Sequence, residues 1–528
     1  NIINQFGICG PVIVNMNAAN GPYTDQMVFN NVKGVSAVNT IKINGNGSTV
    51  LHNASTTAPH LLVINNTSYV KVDSVNFKTT NVNYGWGAAI SGGSEYDSIT
   101  RCVFDLTSAL SSSNAYCNGI TFSSTITSAT TGGSGGSNCY IGNNKILGST
   151  AAGSYYYGLT INTGSINNTI ENNLFSNFYY YGFYISSTSG NKVLYNTKSS
   201  TVAGAGGYII NSSPGTQIIG NKIHSLGGLT GSSTSTYYGI QILTGHGSVA
   251  APVIVANNLL YNFNQQGGQI YGISTSSTTY IRFYHNTIDV SVPSSSTSQT
   301  YGFYASNSQT GAEYKNNIVS ITGGTSGDKY GYYFTSTGGV TVANLQRNNI
   351  YVNSTQSGNQ YHGYYAANYA TLAALQTAYP GIENGSLAIN PSYINPGILD
   401  FTPGISALAL YQSGDALTVQ VPLDINKKIR EIAPTPGAFE MDAPSPNNAG
   451  TIGVMTNEIC QGVSNVRAII RNAGTATLDS VRVYWTVNGT PQVMYQYLGP
   501  LSSGVNDTVI IGSYNFTNTS TIKVWTSM

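Results

Sequence analysis

The sequence predicts an all-β protein: a right-handed parallel β-helix of about twelve coils, followed by an immunoglobulin-like β-sandwich. Three observations support this fold class. Glycine and tyrosine are abundant, with 60 and 39 copies, whereas charged residues make up only 7% of the 528-residue chain. Two short motifs recur about every thirty residues, which is typical of a solenoid. This recurrence ends at about residue 365, and segments with alternating polar and apolar residues begin at residue 449.

The composition also excludes several classes of function. Twenty basic and 19 acidic residues give a net charge of +1. Nucleic acids and anionic lipid surfaces are bound by basic faces, so neither is expected as a partner. The sequence contains no apolar run of about 18 residues, so we expect no membrane insertion. Apolar residues make up 41% of the chain, which is enough to form a core.

The first recurring motif is an aromatic residue followed by glycine and an apolar residue. Its clearest copies are Tyr157-Gly158-Leu159, Tyr181-Gly182-Phe183, Tyr238-Gly239-Ile240, Tyr271-Gly272-Ile273, Tyr301-Gly302-Phe303 and Tyr330-Gly331-Tyr332. Weaker copies are Asn118-Gly119-Ile120, Gly206-Gly207-Tyr208 and His362-Gly363-Tyr364. Short strands that stack at this period, with loops of variable length between them, predict a parallel β-helix over residues 1–365.

The second motif falls between copies of the first and contains paired asparagines. It occurs at Asn143-Asn144, Asn172-Asn173, Asn257-Asn258, Asn316-Asn317 and Asn348-Asn349, with degenerate forms at Asn196, Asn221 and His285-Asn286. Asparagine tolerates a positive φ angle, so it suits a tight turn between strands. Stacked asparagine side chains also bond to the coils above and below.

The alternation of faces along a strand predicts which side chains form the core. Positions one and three after the motif glycine should face inward. These residues are Leu159/Ile161, Phe183/Ile185, Tyr208/Ile210, Ile240/Ile242, Ile273/Thr275, Phe303/Ala305 and Tyr332/Phe334. Position two should face outward, which places Thr160, Tyr184, Ile209, Gln241, Ser274, Tyr304, Tyr333 and Tyr365 on the surface.

The remainder of the chain divides into a cap, a linker and a second domain. Residues 366–442 are irregular and should cap the open end of the solenoid, with one short helix within Tyr369–Tyr379. Residues 443–448 contain two prolines and predict a linker. Residues 449–528 predict an antiparallel sandwich that lacks its last strand. We expect both ends of the sequence to be cuts in a longer polypeptide.

Several stretches resemble a known class of proteins. ICGPVIVNM at the start, SLAINPSYINP and PGAFEM resemble secreted β-helix repeat proteins of Bacteroidota, and RNAGTATL, VYWTVNG and TIKVWTS resemble a CARDB-type adhesion module. The resemblance implies export by the type IX secretion system and an extracellular or cell-surface location. It also implies O-glycans on Asp-Ser/Thr-aliphatic motifs, here at Ser74, Ser98, Ser480 and Thr508. The cap departs from the family pattern at Lys427-Lys428.

The five cysteines are Cys9, Cys102, Cys117, Cys139 and Cys460. Cys117 and Cys139 flank a stretch rich in serine, glycine and threonine, so a disulfide between them would join the base of that loop. Cys102 is an equal candidate partner for either residue. An odd number leaves at least one thiol free or paired outside the chain. No cysteine or histidine spacing indicates a zinc site, and no metal or other cofactor is expected.

Polysaccharide lyases and glycoside hydrolases built on β-helices are the alternative to a non-enzymatic protein. Such sites need clustered carboxylates on an outer face. The best cluster in the sequence is Glu95, Asp97 and Asp105 around Arg101, which we interpret as a solvated patch of ion pairs. Lys315 and Arg347, on adjacent coils, are interpreted as a surface pair. We therefore expect no catalytic residues.

The favoured function is a non-enzymatic surface protein, an adhesin or a structural module of an appendage. Its partners would be other domains of the same longer chain, identical subunits or surface glycans. A carbohydrate-binding module is a further alternative. Tyr304, Tyr333 and Tyr365 occupy one outward position on three successive coils and form a candidate contact strip. The strip either stabilises the sheet by stacking, docks a neighbouring domain or subunit, or binds a glycan.

Overall fold

A computed structural model describes residues 2–150, 155–199, 205–210, 214–226, 236–263, 265, 267–336, 344–354, 359–443, 445–455 and 461–527. The chain forms two compact units. One comprises Asn1–Pro391 with Gln412–Glu440, and the other comprises Ser392–Tyr411 with Met441–Met528. In the first unit, three long sheets of parallel strands wrap around one apolar core, which confirms the predicted all-β class and the parallel β-helix.

Each coil contributes one strand to each sheet, so that strands adjacent in a sheet belong to successive coils. The first sheet has twelve strands: Val12–Asn15, Ile41–Asn44, Val70–Asp73, Ser98–Thr100, Tyr140–Gly142, Thr169–Glu171, Lys192–Leu194, Gln217–Ile219, Val253–Ala256, Ile281–Tyr284, Glu313–Lys315 and Leu345–Gln346. The second also has twelve: Tyr23–Thr24, Thr49–His52, Asn76–Thr79, Val103–Asp105, Lys145–Leu147, Leu174–Ser176, Thr197–Ser199, Lys222–His224, Leu259–Tyr261, Thr287–Ser291, Ile318–Thr322 and Asn349–Asn353.

The third sheet carries the aromatic-glycine motif. Its main path comprises Met27–Asn30, His60–Asn65, Trp86–Ser91, Ile120–Phe122, Tyr157–Ile161, Tyr181–Ser186, Ala205–Ile210, Tyr237–Ile242, Gln269–Thr279, Gln299–Thr310, Lys329–Phe334, Gln360–Tyr365 and Asn368–Tyr369. Gly245–His246 also pairs with Gln269–Thr279 in this sheet. The last strand, Asn368–Tyr369, runs antiparallel to its neighbour. Ser94–Glu95 and Gly136–Ser137 form a separate two-stranded parallel sheet.

The asparagine motif forms the turn between the first and second sheets, and its two residues have different roles. The first residue has a positive φ angle, 55° at Asn172 and 56° at Asn316. The second points inward, where Asn173 Oδ1 accepts from both the backbone N–H and the Nδ2 of Asn144 at 2.9 Å. This asparagine ladder comprises Asn144, Asn173, Asn196, Asn221, Asn258, Asn286, Asn317 and Asn348. The predicted stacking of asparagines is therefore confirmed.

The strand register corrects three alignments made from the sequence. Gly206, not Gly207, stacks on Gly182, so that Ile209 is buried and Tyr208 is partly exposed. Arg347 has the positive φ angle, and Asn348, not Asn349, belongs to the asparagine ladder. Gly363 pairs with Tyr332 instead of Gly331, which shifts the last coil by one residue. In each case two similar residues stand side by side, and the motif alone does not choose between them.

Helices are few and short in the part of the chain that the structure describes. The α-helices are Ile2–Phe6 and Leu372–Ala378, and 3₁₀ helices span Ala18–Asn20, Pro396–Ile398 and Ile405–Leu410. The helix predicted in the cap is Leu372–Ala378, where the Thr371 side chain accepts a hydrogen bond from the Ala374 N–H at 3.2 Å. Leu375 is the residue that this helix buries. No described helix has the length and apolar composition needed to cross a bilayer.

The second unit contains two antiparallel sheets around their own core. One comprises Ala449–Val454, Gly462–Asn472 and Asn506–Phe516, and the other comprises Leu478–Val487, Thr490–Pro491, Tyr495–Leu501 and Ile522–Ser527. Val483 and Trp485 from one sheet and Ala468 and Ile470 from the other are buried together. Two sheets that share one core fit the predicted sandwich.

Candidate functional site

The aromatic-glycine motif owes its glycine to the close approach of successive coils. A Cβ atom on Gly302 would lie 2.3 Å from Val319 Cγ1 and 2.4 Å from the Gly331 carbonyl oxygen. The same conflict recurs along the sheet, since a Cβ on Gly272 would lie 2.6 Å from the Gly302 carbonyl oxygen. A side chain does not fit at this position, so glycine repeats there. The glycine also interrupts the strict alternation of faces, so that Tyr301 lies outside the core and Phe303 inside it.

The tyrosines that precede these glycines stack into an inner row. The row comprises Tyr238, Tyr271, Tyr301, Tyr330 and Tyr361. Its rings are nearly parallel, and the centroids of Tyr271 and Tyr301 are 4.9 Å apart. Tyr271, Tyr301 and Tyr330 are each less than a tenth exposed, and they form a cluster separate from the core of the β-helix. This row was missed by sequence reasoning, because simple alternation does not account for the glycine.

A second, outer row lies beside the first and contains the candidate contact strip. Tyr304 pairs with Tyr333, and Tyr333 pairs with Tyr364, with ring centroids 5.6 and 4.4 Å apart. The outward position predicted for Tyr365 is wrong, because that ring is buried in the core and Tyr364 takes its place. The one-residue shift at Gly363 is the reason. Aligning Tyr361 on Tyr330 would have identified Tyr364 from the sequence.

The inner and outer rows contact each other through perpendicular, edge-to-face ring pairs. Tyr304 lies edge-on to Tyr271 at 4.9 Å, and Tyr333 lies edge-on to Tyr330 at 4.9 Å with an interplanar angle of 89°. Such pairs are favoured by the ring quadrupole. We call these two rows the tyrosine face; it comprises Tyr238, Tyr271, Tyr301, Tyr330, Tyr361, Tyr304, Tyr333 and Tyr364.

Hydroxyl and amide groups border the rings. The Tyr271 hydroxyl donates to Gln269 Oε1 at 3.0 Å, and Gln269 Nε2 donates to Gln299 Oε1 at 3.1 Å. Burial raises the pKa of Tyr301 to about 12, with neighbouring tyrosines adding to the effect. The Tyr301 phenol therefore stays protonated at neutral pH and acts as a neutral donor and acceptor. This face can make apolar stacking contacts and neutral hydrogen bonds.

A second aromatic group lies on earlier coils of the same sheet. Tyr181 stacks on Tyr208 at 4.6 Å, and Tyr184 stacks on Tyr208 at 5.5 Å. Gln241 and Ser274 occupy the coils between Tyr208 and Tyr304 in the outer position. The aromatic surface is therefore interrupted in that row.

The structure separates the acidic residues that the sequence grouped around Arg101. Arg101 Nη2 pairs with Asp73 at 2.6 Å, and Lys78 pairs with Asp105 at 3.1 Å. Asp97 is buried, and its Oδ1 accepts from the Val70 N–H at 2.8 Å. Burial raises the pKa of Asp97 well above its ordinary value. The grouping of these acids around Arg101 is thus wrong, because Arg101 turns to the preceding coil.

A charged cluster lies around Lys315 on the first sheet. Lys315 Nζ is 3.9 Å from Glu313 Oε2 and 3.8 Å from Asp415 Oδ2, and Arg347 Nε is 3.4 Å from Asp415 Oδ1. Arg282 pairs with Glu313 at 3.2 Å. Burial, together with the hydrogen bond to Glu313, raises the pKa of Tyr284. Lys315 and Arg347 are thus brought together by Asp415, a residue far along the chain that the sequence did not indicate.

The residues of the four candidate glycosylation motifs differ in accessibility. Ser480 and Thr508 are exposed on strands of the sandwich, whereas Ser74 and Ser98 are partly buried on the β-helix. Ser74 Oγ accepts from Arg101 Nε at 3.4 Å. Glycosylation at these four positions stays a prediction.

The cysteines do not form the disulfides that the sequence left open among Cys102, Cys117 and Cys139. Cys9, Cys102, Cys117 and Cys139 are free, and all but Cys9 are buried. Burial raises the pKa of the Cys117 thiol to about 11, so it stays protonated. The disulfides considered among Cys102, Cys117 and Cys139 are therefore wrong, because each thiol fills the apolar core of its own coil. Cys460 lies outside the described residues. Among the described side chains, no group of three or more metal-ligating residues is positioned to hold a metal ion.

Comparisons with known proteins identify distant structural likenesses only. No protein-family model and no curated protein matches the chain. A periplasmic alginate epimerase is 12% identical, with 62% of this chain and 74% of that chain covered and a TM-score of 0.38. PfbA, a surface adhesin of Streptococcus pneumoniae, is 15% identical over 69% of this chain and 77% of its own, with a TM-score of 0.35. A tailspike protein of the E. coli bacteriophage HK620, solved with a pentasaccharide, is 10% identical over 92% and 86%, with a TM-score of 0.33.

Proposed function

We propose that this chain is a non-enzymatic, exported surface protein, an adhesin or a structural module of an appendage, and that it makes contact through its tyrosine face. The observation that carries the proposal is the in-register outer row of Tyr304, Tyr333 and Tyr364. The rings are partly exposed and held rigidly by the buried inner row. Rigid tyrosines offer a large contact area and lose little conformational entropy on binding.

The chemistry of the face indicates the kind of contact. Its polar groups are neutral phenols and the amides of Gln269 and Gln299. Contacts made by neutral groups are weakly screened by salt, so attachment should persist at high ionic strength. Partners that fit are a neighbouring domain, an identical subunit or the pyranose rings of a surface glycan. Export by the type IX system and a CARDB-type role for the second unit belong to the same proposal, supported by the sequence resemblance.

A triple substitution of Tyr304, Tyr333 and Tyr364 by serine tests the proposal. Adhesion of cells displaying the protein, or its self-assembly, should fall at least tenfold while the far-UV circular dichroism spectrum stays unchanged. The matched control is the double variant Tyr69→Ser with Tyr96→Ser. It removes another stacked pair, whose ring centroids are 5.2 Å apart, just before two strands of the first sheet. Unchanged adhesion and assembly in the triple variant would contradict the proposed contact role.

The cluster around Lys315 supports a second candidate, a polysaccharide lyase or hydrolase. A lysine between the two carboxylates of Glu313 and Asp415 supplies the groups that acid–base chemistry needs. The purified protein should be incubated with a panel of uronate polymers and neutral glycans. New unsaturated or reducing ends that disappear in Glu313→Gln and Asp415→Asn would replace the first proposal by this one.

A further inference from the structure

One side chain breaks the pattern of the apolar core. In the second sheet, a single inward column runs from coil to coil through the centre of the β-helix. The column comprises Phe77, Phe104, Ile146, Phe175, Lys198, Ile223, Leu260, Ile288, Val319 and Ile350. Lys198 is completely buried, and among the described residues it has no ion-pair partner. An unpaired buried charge is costly, so this lysine needs an explanation.

The Lys198 side chain reaches one rung of the asparagine ladder. Its Nζ donates to Asn221 Oδ1 at 3.3 Å and lies 4.7 Å from the centroid of the Phe183 ring. Asn221 Oδ1 also accepts from the backbone N–H and the Nδ2 of Asn196, at 3.1 and 3.2 Å. From Asn173 onward the other rungs accept these two bonds only from the preceding asparagine, and Asn144 accepts from the Cys102 N–H. Asn221 thus differs from them by having an amine beside its carboxamide.

We infer that Lys198 and Asn221 form an internal isopeptide bond, a covalent link between two successive coils that is independent of the contact function. The Nζ lone pair attacks Asn221 Cγ and forms a C–N bond, which places negative charge on Oδ1. One proton moves from Nζ to Nδ2, the Cγ–Nδ2 bond breaks, and ammonia leaves. Atoms and electrons balance without any other reactant.

The surroundings favour each part of this step. The two donors of Asn196 already point at Oδ1, where they stabilise the charge of a tetrahedral intermediate. Burial lowers the pKa of Lys198 to about 7, so that a large fraction of the amine is neutral and nucleophilic. Cγ lies one C=O bond, about 1.2 Å, from the oxygen that Nζ already contacts, and such proximity replaces a bimolecular encounter.

Mass spectrometry of the intact, folded protein tests the bond. The chain should be lighter than its sequence mass by one molecule of ammonia. Trypsin should fail to cleave after Lys198 and should release a branched peptide that joins the segment around Lys198 to the segment around Asn221. A free Lys198 in tryptic peptides of the folded protein would overturn the inference.

Two variants separate this bond from other losses of ammonia. Lys198→Met places an apolar side chain in an apolar column, and its mass should equal the sequence mass. Lys192→Met changes a lysine exposed on the first sheet and should retain the loss of ammonia. A loss that persists in Lys198→Met would come from a cyclic imide at an asparagine, and it would overturn the assignment.

Discussion

The asparagine ladder and the outer tyrosine row have the same geometry and different physical causes. Both place one residue per coil in register, and both run along several successive coils. The asparagines are buried, and each one satisfies backbone groups that would otherwise have no partner. The outer tyrosines are partly exposed, and they are held by ring contacts with one another and with the inner row. Repetition in the interior is therefore required by folding, whereas repetition on the surface is left available for function.

Breaking the asparagine ladder in its middle should give the largest loss of stability. Asn286 Oδ1 accepts from the N–H and the Nδ2 of Asn258, and Asn286 Nδ2 donates to the Val255 carbonyl. Asn286→Leu would remove one hydrogen bond from each of these three buried groups, at about 1–3 kcal/mol each. We expect the free energy of unfolding, measured with urea, to fall by about 3–5 kcal/mol.

The matched control is Asn53→Leu, which changes an exposed asparagine outside the ladder. It should alter the free energy of unfolding by less than about 0.5 kcal/mol. Similar losses in both variants would remove the distinction between the buried ladder and surface asparagines.

The last asparagine of the ladder, Asn348, contacts a buried carboxyl group, which predicts that the stability of the protein depends on pH. Asn348 Nδ2 donates to Glu383 Oε2 at 3.4 Å, and Ser386 also bonds to this carboxyl group. Burial raises the pKa of Glu383 to about 7, with Ser386 and Asn348 opposing the shift. The stability that the protonated form provides is complete below about pH 4.5 and is lost as the pH rises through 7.

Glu383→Gln keeps the shape of this group and removes its titration. At pH 8 the variant should be more stable than the parent by up to about 3 kcal/mol, and the difference should vanish below pH 4.5. Thermal unfolding across this pH range measures the effect, with the exposed Asp25→Asn as the control. A variant that is less stable than the parent at pH 8 would show that the carboxylate is favourable there.

The glycine of the aromatic-glycine motif should respond to the smallest possible side chain. Gly302→Ala places a methyl group against Val319 and the Gly331 carbonyl oxygen, so the two coils must move apart. Overpacking of this kind costs about 1–3 kcal/mol, which calorimetry would register as a lower Tm. Gly10→Ala is the matched control, because nothing lies within 4 Å of its Cβ position. Equal Tm values for the two variants would show that the coils separate freely at Gly302.

The outer tyrosine row should contribute least to stability. Tyr333→Ser removes stacking on Tyr304 and Tyr364, and we expect the free energy of unfolding to fall by about 1 kcal/mol. Chemical denaturation measures this change. A loss as large as that of Asn286→Leu would mean that the tyrosine face is a structural element, which would weaken the case for a contact role.

The sequence by itself determined the architecture. Glycine recurs because coils approach too closely for a Cβ atom, and asparagine recurs because the turn needs a positive φ angle and the interior needs a donor and an acceptor in each coil. These demands are local and repeat in every coil, so they leave a periodic signal. The same signal predicted the outward positions of Tyr304 and Tyr333 and the buried positions of Phe183 and Ile240.

Only the tertiary structure decided the register of each coil and the contacts between distant segments. At three places, two neighbouring residues of the same type could each occupy the motif position, and only the packing against the preceding coil decides which one does. These pairs are Gly206-Gly207, Asn348-Asn349 and Tyr364-Tyr365. Asp415 contacts Lys315, which lies 100 residues earlier in the chain, and Lys198 contacts Asn221 inside the core. Neither contact recurs from coil to coil, so neither produces a periodic signal in the sequence. Local patterns thus define the repeated unit, whereas the packing of one coil on the next defines the individual sites.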